Sequence, residues 1–157
     1  MTHPYPPHLP AFDYTGKHTY FLTFSTQYRR TLFLQADLVE EVRSQFLRAC
    51  RQLSIELTAY CFMPDHVHVL VEATTRSADL RRLVTQWKQA TGFAHALARG
   101  RRLWQPGYFE RVLRAEEATG QVARYIVTNP VRAGLSVRVG EYPYAWAVGL
   151  APGPAQD

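Results

Sequence analysis

The 157-residue chain is short of several things at once: it has two cysteines, two methionines and, among eighteen basic residues, only Lys17 and Lys88 as lysines. Cys50 and Cys61 match no metal or redox spacing, so they read as small hydrophobes in a reducing cytoplasm. No apolar run is long enough for a membrane span, and the opening Met1-Thr2-His3-Pro4-Tyr5-Pro6-Pro7-His8 lacks the charged-then-apolar order of a signal peptide. The expected location is therefore cytoplasmic, with no membrane partner. Internal repeats are missing too. The length suffices for one domain with a real core, and not for two.

What is abundant is arginine. The formal net charge is +5, and it is unevenly spread. Between Arg76 and Arg114 nine basic residues face Asp79 and Glu110, which makes that segment +7 and the remainder −2. A basic face of this kind attracts phosphate backbones. Arginine also suits bidentate contacts to phosphate and guanine. A solvated helix face in an arginine-rich proteome would give the same residue usage, so the clustering is the stronger sign.

Residues 1–14 are rich in proline and aromatics and are expected to form an irregular arm, and residues 149–157 a flexible tail. Between them, 15–148 should form one unit. His18–Thr26 reads as a central strand, and Val39, Val42, Phe46, Cys50 and Leu53 recur at helical spacing over 35–53. Ile55–Phe62 is a second strand, turned by Met63-Pro64-Asp65 into a third at His66–Val71. Ser77 is expected to cap a helix to about Leu97, with Leu80, Leu83, Val84, Trp87 and Ala94 inward and Arg81, Arg82 and Lys88 outward. A fourth strand near Tyr108–Leu113 leads to a last helix opened by Glu116 and Glu117. The fold class is α+β: a ferredoxin-like βαββαβ antiparallel sheet with the first and third strands central, and an additional C-terminal helix.

The third strand carries two histidines on one face, because side chains alternate with period two and Val67 points to the opposite layer. His66 and His68 are thus a ready pair of metal ligands, and two imidazoles leave the metal open among Zn, Mn, Fe, Ni, Cu and, with oxygen ligands, Mg. Alone the pair is a weak signal, since two histidines hydrogen-bonded at a core edge give the same pattern. On the last helix Tyr125 and Asn129 are four apart and share a face, with Gln121 one turn earlier. Pro130 should stop the helix near Thr128 or Asn129. An ordinary half-buried tyrosine and an asparagine cap would also look like this.

Three stretches together resemble the His-hydrophobic-His single-tyrosine transposases, the IS200-like group, and more specifically their REP-associated branch. They are Cys61-Phe62-Met63-Pro64-Asp65-His66-Val67-His68-Val69-Leu70-Val71, then Leu103-Trp104-Gln105-Pro106-Gly107-Tyr108-Phe109-Glu110-Arg111, then Tyr125-Ile126-Val127-Thr128-Asn129-Pro130-Val131-Arg132-Ala133-Gly134-Leu135. The resemblance covers about residues 15–148. It implies that His66 and His68 are ligands of a divalent metal, Mg or Mn, that Tyr125 is the nucleophile, and that Asn129 helps complete the metal site. The wider group has glutamine where Asn129 stands, and the family often has Asp-His at Glu110-Arg111, so neither of the latter two receives a catalytic role.

The same resemblance implies a palm-like sheet with the tyrosine helix over the face opposite the packed helices. It also implies the substrate: single-stranded DNA beside palindromic hairpins, cleaved through a 5′-phosphotyrosine and rejoined, by a monomer or a homodimer. A phenol ordinarily ionises near pH 10, and Gln121 and a nearby arginine are candidates for assisting it. Arg81, Arg82, Lys88, Arg101, Arg102, Trp104 and Arg132 are the expected DNA contacts. Trp104 serves equally well as a stacking plane or a core residue, whereas Tyr108 and Trp87 read as core. Arg132 reads first as a helix cap and second as a phosphate contact. Two other functions compete: a domesticated DNA-hairpin-binding protein that has lost its chemistry, and a metal-dependent phosphoesterase with Tyr125 structural.

Overall fold

The computed structural model describes residues 12–114 and 116–150, with the side chains of Glu116 and Glu117 outside that description. The strands are β1 (Thr19–Ser25), β2 (Ile55–Met63), β3 (His66–Ala73), β4 (Phe109–Leu113) and β5 (Ala145–Ala147), and the helices are α1 (Ala36–Gln52), α2 (Leu80–Arg99) and α3 (Glu116–Arg132). The sheet order is β4-β1-β3-β2-β5, antiparallel throughout. The ferredoxin-like order is therefore present, with β1 and β3 central. The short β5 adds to the β2 edge through Tyr60 opposite Trp146.

Alternation along the central strands divides the core into two layers. Tyr20, Leu22, Phe24, Val67, Val69 and Val71 face α1 and α2, where Trp87 is fully buried and donates from Nε1 to the Val42 carbonyl at 3.1 Å. Phe21, Leu70, Cys61 and Met63 face the other way, against Val122, Ile126 and Val127 of α3. The sheet lies between α3 and the α1/α2 pair. Burying both faces is what lets β1 and β3 be nearly continuous apolar and aromatic runs.

The start of α2 corrects one expectation. Its N-cap is Asp79 and not Ser77: Asp79 Oδ1 accepts from the Arg82 N–H at 3.1 Å, while Ser77 lies outside the helix. A second correction concerns α3, which runs through Pro130 to Arg132 instead of stopping at Thr128 or Asn129. Proline removes only one bond in a last turn, and the end is closed by Gly134 at φ 75°, with Gly134 N–H donating to the Val131 carbonyl at 3.1 Å and Leu135 N–H to Pro130 at 2.8 Å. Of the expected arm, residues 1–11 lie outside the described residues. Phe12–Tyr14 form no strand but pack on the sheet, with Tyr14 buried. Residues 151–157 of the expected tail also lie outside.

Candidate active site

His66 and His68 stand on the α3 face of β3, with ring centroids 4.7 Å apart. Each Nδ1 has its own partner. Thr23, opposite His68 in the β1 register, brings Oγ1 within 2.7 Å of His68 Nδ1, and Asp65 Oδ1 lies 2.7 Å from His66 Nδ1. The second Asp65 oxygen accepts from Arg29 Nε at 2.9 Å. With both Nδ1 atoms protonated and donating, both Nε2 lone pairs are left for a cation, the arrangement that oxygen partners impose on ligating histidines.

The electrostatics agree with that arrangement. Burial, then the nearby His66, Arg132 and Arg29, push the His68 pKa down to about 3, so the ring is neutral at neutral pH. Burial alone would raise the Asp65 carboxyl, but hydrogen bonds from Arg29 and His66 outweigh it and hold the group below its usual range. Among the described residues no third His, Cys, Asp or Glu joins the pair. Remaining ligands would be oxygens, from the Asn129 amide, water or a phosphate, and two imidazoles with oxygens fit a divalent cation.

Tyr125 is 48% exposed on α3, and its ring centroid lies 6.2 Å from that of His68. Phe21 fixes the spacing: it stacks on His68 at 5.5 Å and 30°, and meets Tyr125 edge-on at 6.2 Å. The Arg132 guanidinium sits 4.1 Å from the Tyr125 ring centroid, while Nη1 donates to Thr128 Oγ1 and Nη2 to the Tyr125 carbonyl, each at 2.9 Å. Arg132 thus serves its own helix end and stacks on Tyr125 at once. Gln121, Arg124, Thr128 and Arg132 line an open hollow around Tyr125, and Asn129 follows one turn on, partly buried.

The other expected DNA contacts divide. Arg81 and Arg82 are exposed on α2, in the layer on the far side of the sheet, with the Arg81 guanidinium over the Tyr14 ring at 4.5 Å. Arg101 and Arg102 are exposed just after α2. Two expectations are corrected. Trp104 is a core residue, 7% exposed, with Nε1 donating to Thr91 Oγ1 at 2.9 Å and its ring against Trp87, so it offers no plane for a base. Lys88 is turned inward: Nζ donates to the Gln105 and Gly107 carbonyls at 3.3 and 2.9 Å, and burial lowers its pKa to about 8. Sequence reasoning missed Thr23, Asp65, Phe21 and Arg29, whereas Arg111, already counted in the basic Arg76–Arg114 segment, lies exposed between Phe109 and Leu113 on the α3 face of β4. Asp65 was in view directly before His66. Thr23 becomes visible only once the register of β1 on β3 is known.

The model of the family described as "Transposase IS200 like" matches residues 14–129. A Haemophilus influenzae protein described as a REP-associated tyrosine transposase is 28% identical over 144 residues, covering 85% of this chain and 81% of that protein. An Escherichia coli REP-associated tyrosine transposase is 24% identical over 128 residues, covering 81% of this chain and 74% of that protein. Among solved structures, that of a REP-associated tyrosine transposase bound to a REP hairpin superposes with a TM-score of 0.77 at 24% identity, over 96% of this chain and 93% of that one. A match that runs from the edge of the first strand through both histidines to Tyr125 and Asn129 makes the chain a member of the IS200-like transposases, a family of enzymes.

Proposed function

We propose that this transposase cleaves and rejoins single-stranded DNA beside palindromic hairpins, with Tyr125 as nucleophile and His66 and His68 as ligands of a divalent ion, Mg or Mn. The observation that carries the reading is the three-ring cluster in which Phe21 holds the half-exposed Tyr125 next to His68. The structurally similar REP-associated tyrosine transposase bound to a REP hairpin supports the hairpin, and the histidines with free Nε2 atoms support the metal.

In the reaction Tyr125 Oη gives up its proton and forms a bond to phosphorus, the P–O3′ bond breaks, and the departing 3′-oxygen takes a proton to become a 3′-hydroxyl. The DNA is left as a 5′-phosphotyrosine, and attack by a second 3′-hydroxyl reverses the exchange and releases the phenol. A bound divalent ion supplies Lewis-acid stabilisation of the charge on the phosphate and leaving oxygen. Arg132, stacked on the Tyr125 ring, places a positive charge where the phosphate arrives. Arg111 and Arg124 are further cations exposed on this side of the sheet. Arg81 and Arg82, on the far layer, would meet DNA away from the scissile phosphate.

The test is incubation with end-labelled hairpin oligonucleotides and Mg²⁺ or Mn²⁺ on a denaturing gel. A slow protein-DNA adduct that disappears in Tyr125→Phe and in His66→Ala supports the reading. Cleavage that survives Tyr125→Phe would move the chemistry to a metal phosphoesterase, and hairpin binding without any adduct would leave a binding protein.

A further inference from the structure

We propose that the loop Tyr28–Arg30 is a binding site for one unpaired nucleotide next to the scissile phosphate, its base stacked on Tyr28 and its phosphate held by Arg30. The proposal rests on the single-strand cleavage reading above.

The loop follows β1 directly, and its backbone is unusual. Tyr28 and Arg29 have φ of 56° and 53°, two consecutive side-chain-bearing residues in the left-handed region that favours glycine. Such strain persists only where surroundings over-determine it, and it concentrates at functional sites. The surroundings here are specific. Thr26, fully buried, donates from Oγ1 to the Arg30 carbonyl at 2.7 Å and from its backbone N–H to the Asp65 carbonyl at 3.0 Å. Gln27 N–H donates to the Leu103 carbonyl at 2.9 Å, and Phe33 N–H to Pro64 at 3.0 Å. The loop is thus tied to the turn that carries His66 and to the strap that follows Arg101 and Arg102.

The strained backbone has two consequences. Arg29, its side chain still 54% exposed, reaches along the surface to Asp65, whose carboxylate holds His66. Tyr28 turns outward, 77% exposed, with the Arg30 guanidinium 5.4 Å from its ring centroid. A large aromatic held in solvent by strain, beside a guanidinium and one residue away from a group that orients a histidine of the site, has no packing role to explain it. Its chemistry suits an unpaired base, because every base has a stacking face and an adjacent arginine binds the backbone. It does not suit duplex, in which bases are already stacked.

Binding can be read without cleavage. In a Tyr125→Phe background without divalent metal, fluorescence anisotropy would compare two dye-labelled hairpins drawn from palindromes near the gene, one with an unpaired flank and one blunt. Tyr28→Ala should weaken binding of the flanked hairpin by about 5- to 150-fold, the loss of one base-aromatic stack, and leave the blunt hairpin unchanged. Tyr28→Phe should bind as the parent does. Arg30→Gln should weaken the flanked hairpin and reduce its salt slope by about 0.7. Tyr28→Gly, freed of the left-handed strain, should melt at or above the parent's temperature and still bind like the alanine variant, whereas a structural role for the ring requires a lower melting temperature. Equal binding of the flanked hairpin by Tyr28→Ala and its parent would overturn the proposal. If the parent binds neither hairpin, the failure lies with the hairpin reading itself.

Discussion

Thr23→Val is the substitution that most cleanly separates a metal site from a pair of core histidines. Valine keeps the shape and β-branching that suit β1, so the sheet should not change. What is lost is the hydroxyl 2.7 Å from His68 Nδ1, on a ring only 8% exposed. A buried ring N–H without a partner costs about 1–3 kcal/mol, and loss of such an orienting contact typically costs about 10–100-fold in metal affinity. The two effects are separable with a ligand titration. At Mn²⁺ of about 100 Kd the parent gains about 2.7 kcal/mol of stability, and a variant whose Kd is raised about 100-fold gains about 0.4 kcal/mol at the same concentration. The assay is denaturant unfolding with and without Mn²⁺. Thr23→Val should be less stable by about 1–3 kcal/mol without metal and nearly blind to it, and Thr23→Ser should recover most of the response. A valine variant stabilised by Mn²⁺ as much as its parent would refute the ligand geometry argued for His68.

Other expectations follow from the same fold. Trp104→Ala should lower stability by about 3–5 kcal/mol as a core truncation, seen as a reduced urea midpoint, whereas a surface stacking residue would leave that midpoint alone. Gly134→Ala should cost about 1 kcal/mol at φ 75°, read as a lower melting temperature with the adduct-forming activity kept. Burial raises the Cys50 and Cys61 thiols to about 12, so both should resist alkylation at mild alkaline pH until the chain unfolds. Because those folded pKa values exceed the thiol's ordinary 9.0, their contribution is full below pH 9 and lost as pH rises toward 12. Tyr20 and Tyr142, also raised by burial, act in the same sense. Lys88, lowered to about 8, acts oppositely from there to 10.5. The urea midpoint should therefore fall on the alkaline side, and a midpoint unchanged up to pH 12 would contradict the burial of the thiols.

Much of this architecture is legible in the sequence, because it rests on periodicity. Period two put His66 and His68 on one face, the helical stripes located α1 and α2, and the βαββαβ order placed β1 and β3 in the middle. The misreadings have a common cause in tertiary contacts. Pro130 looked like a stop, but a glycine four residues later closes the helix just as well. Lys88 and Trp104 sit in a basic, aromatic segment that looked like a nucleic-acid face, and only the packing against Thr91, Trp87 and the Gln105–Gly107 carbonyls shows that they point inward. The three residues of β5 are too few to carry a pattern and depend on the β2 edge for pairing. The partners of the histidines were hidden for a related reason: Thr23 lies 45 residues from His68 in sequence, and Arg29 lies 36 from Asp65.

The central claim is that Tyr125 becomes covalently joined to DNA. The direct measurement is mass spectrometry of the adduct after nuclease and trypsin digestion, because cleavage after Arg124 and Arg132 yields the peptide Tyr125–Arg132, in which Tyr125 is the one tyrosine. The account predicts a residual 5′-nucleotide phosphate on that peptide and on no other. DNA cleaved while the peptide stays unmodified, or a nucleotide found on another tyrosine such as Tyr28, would contradict it.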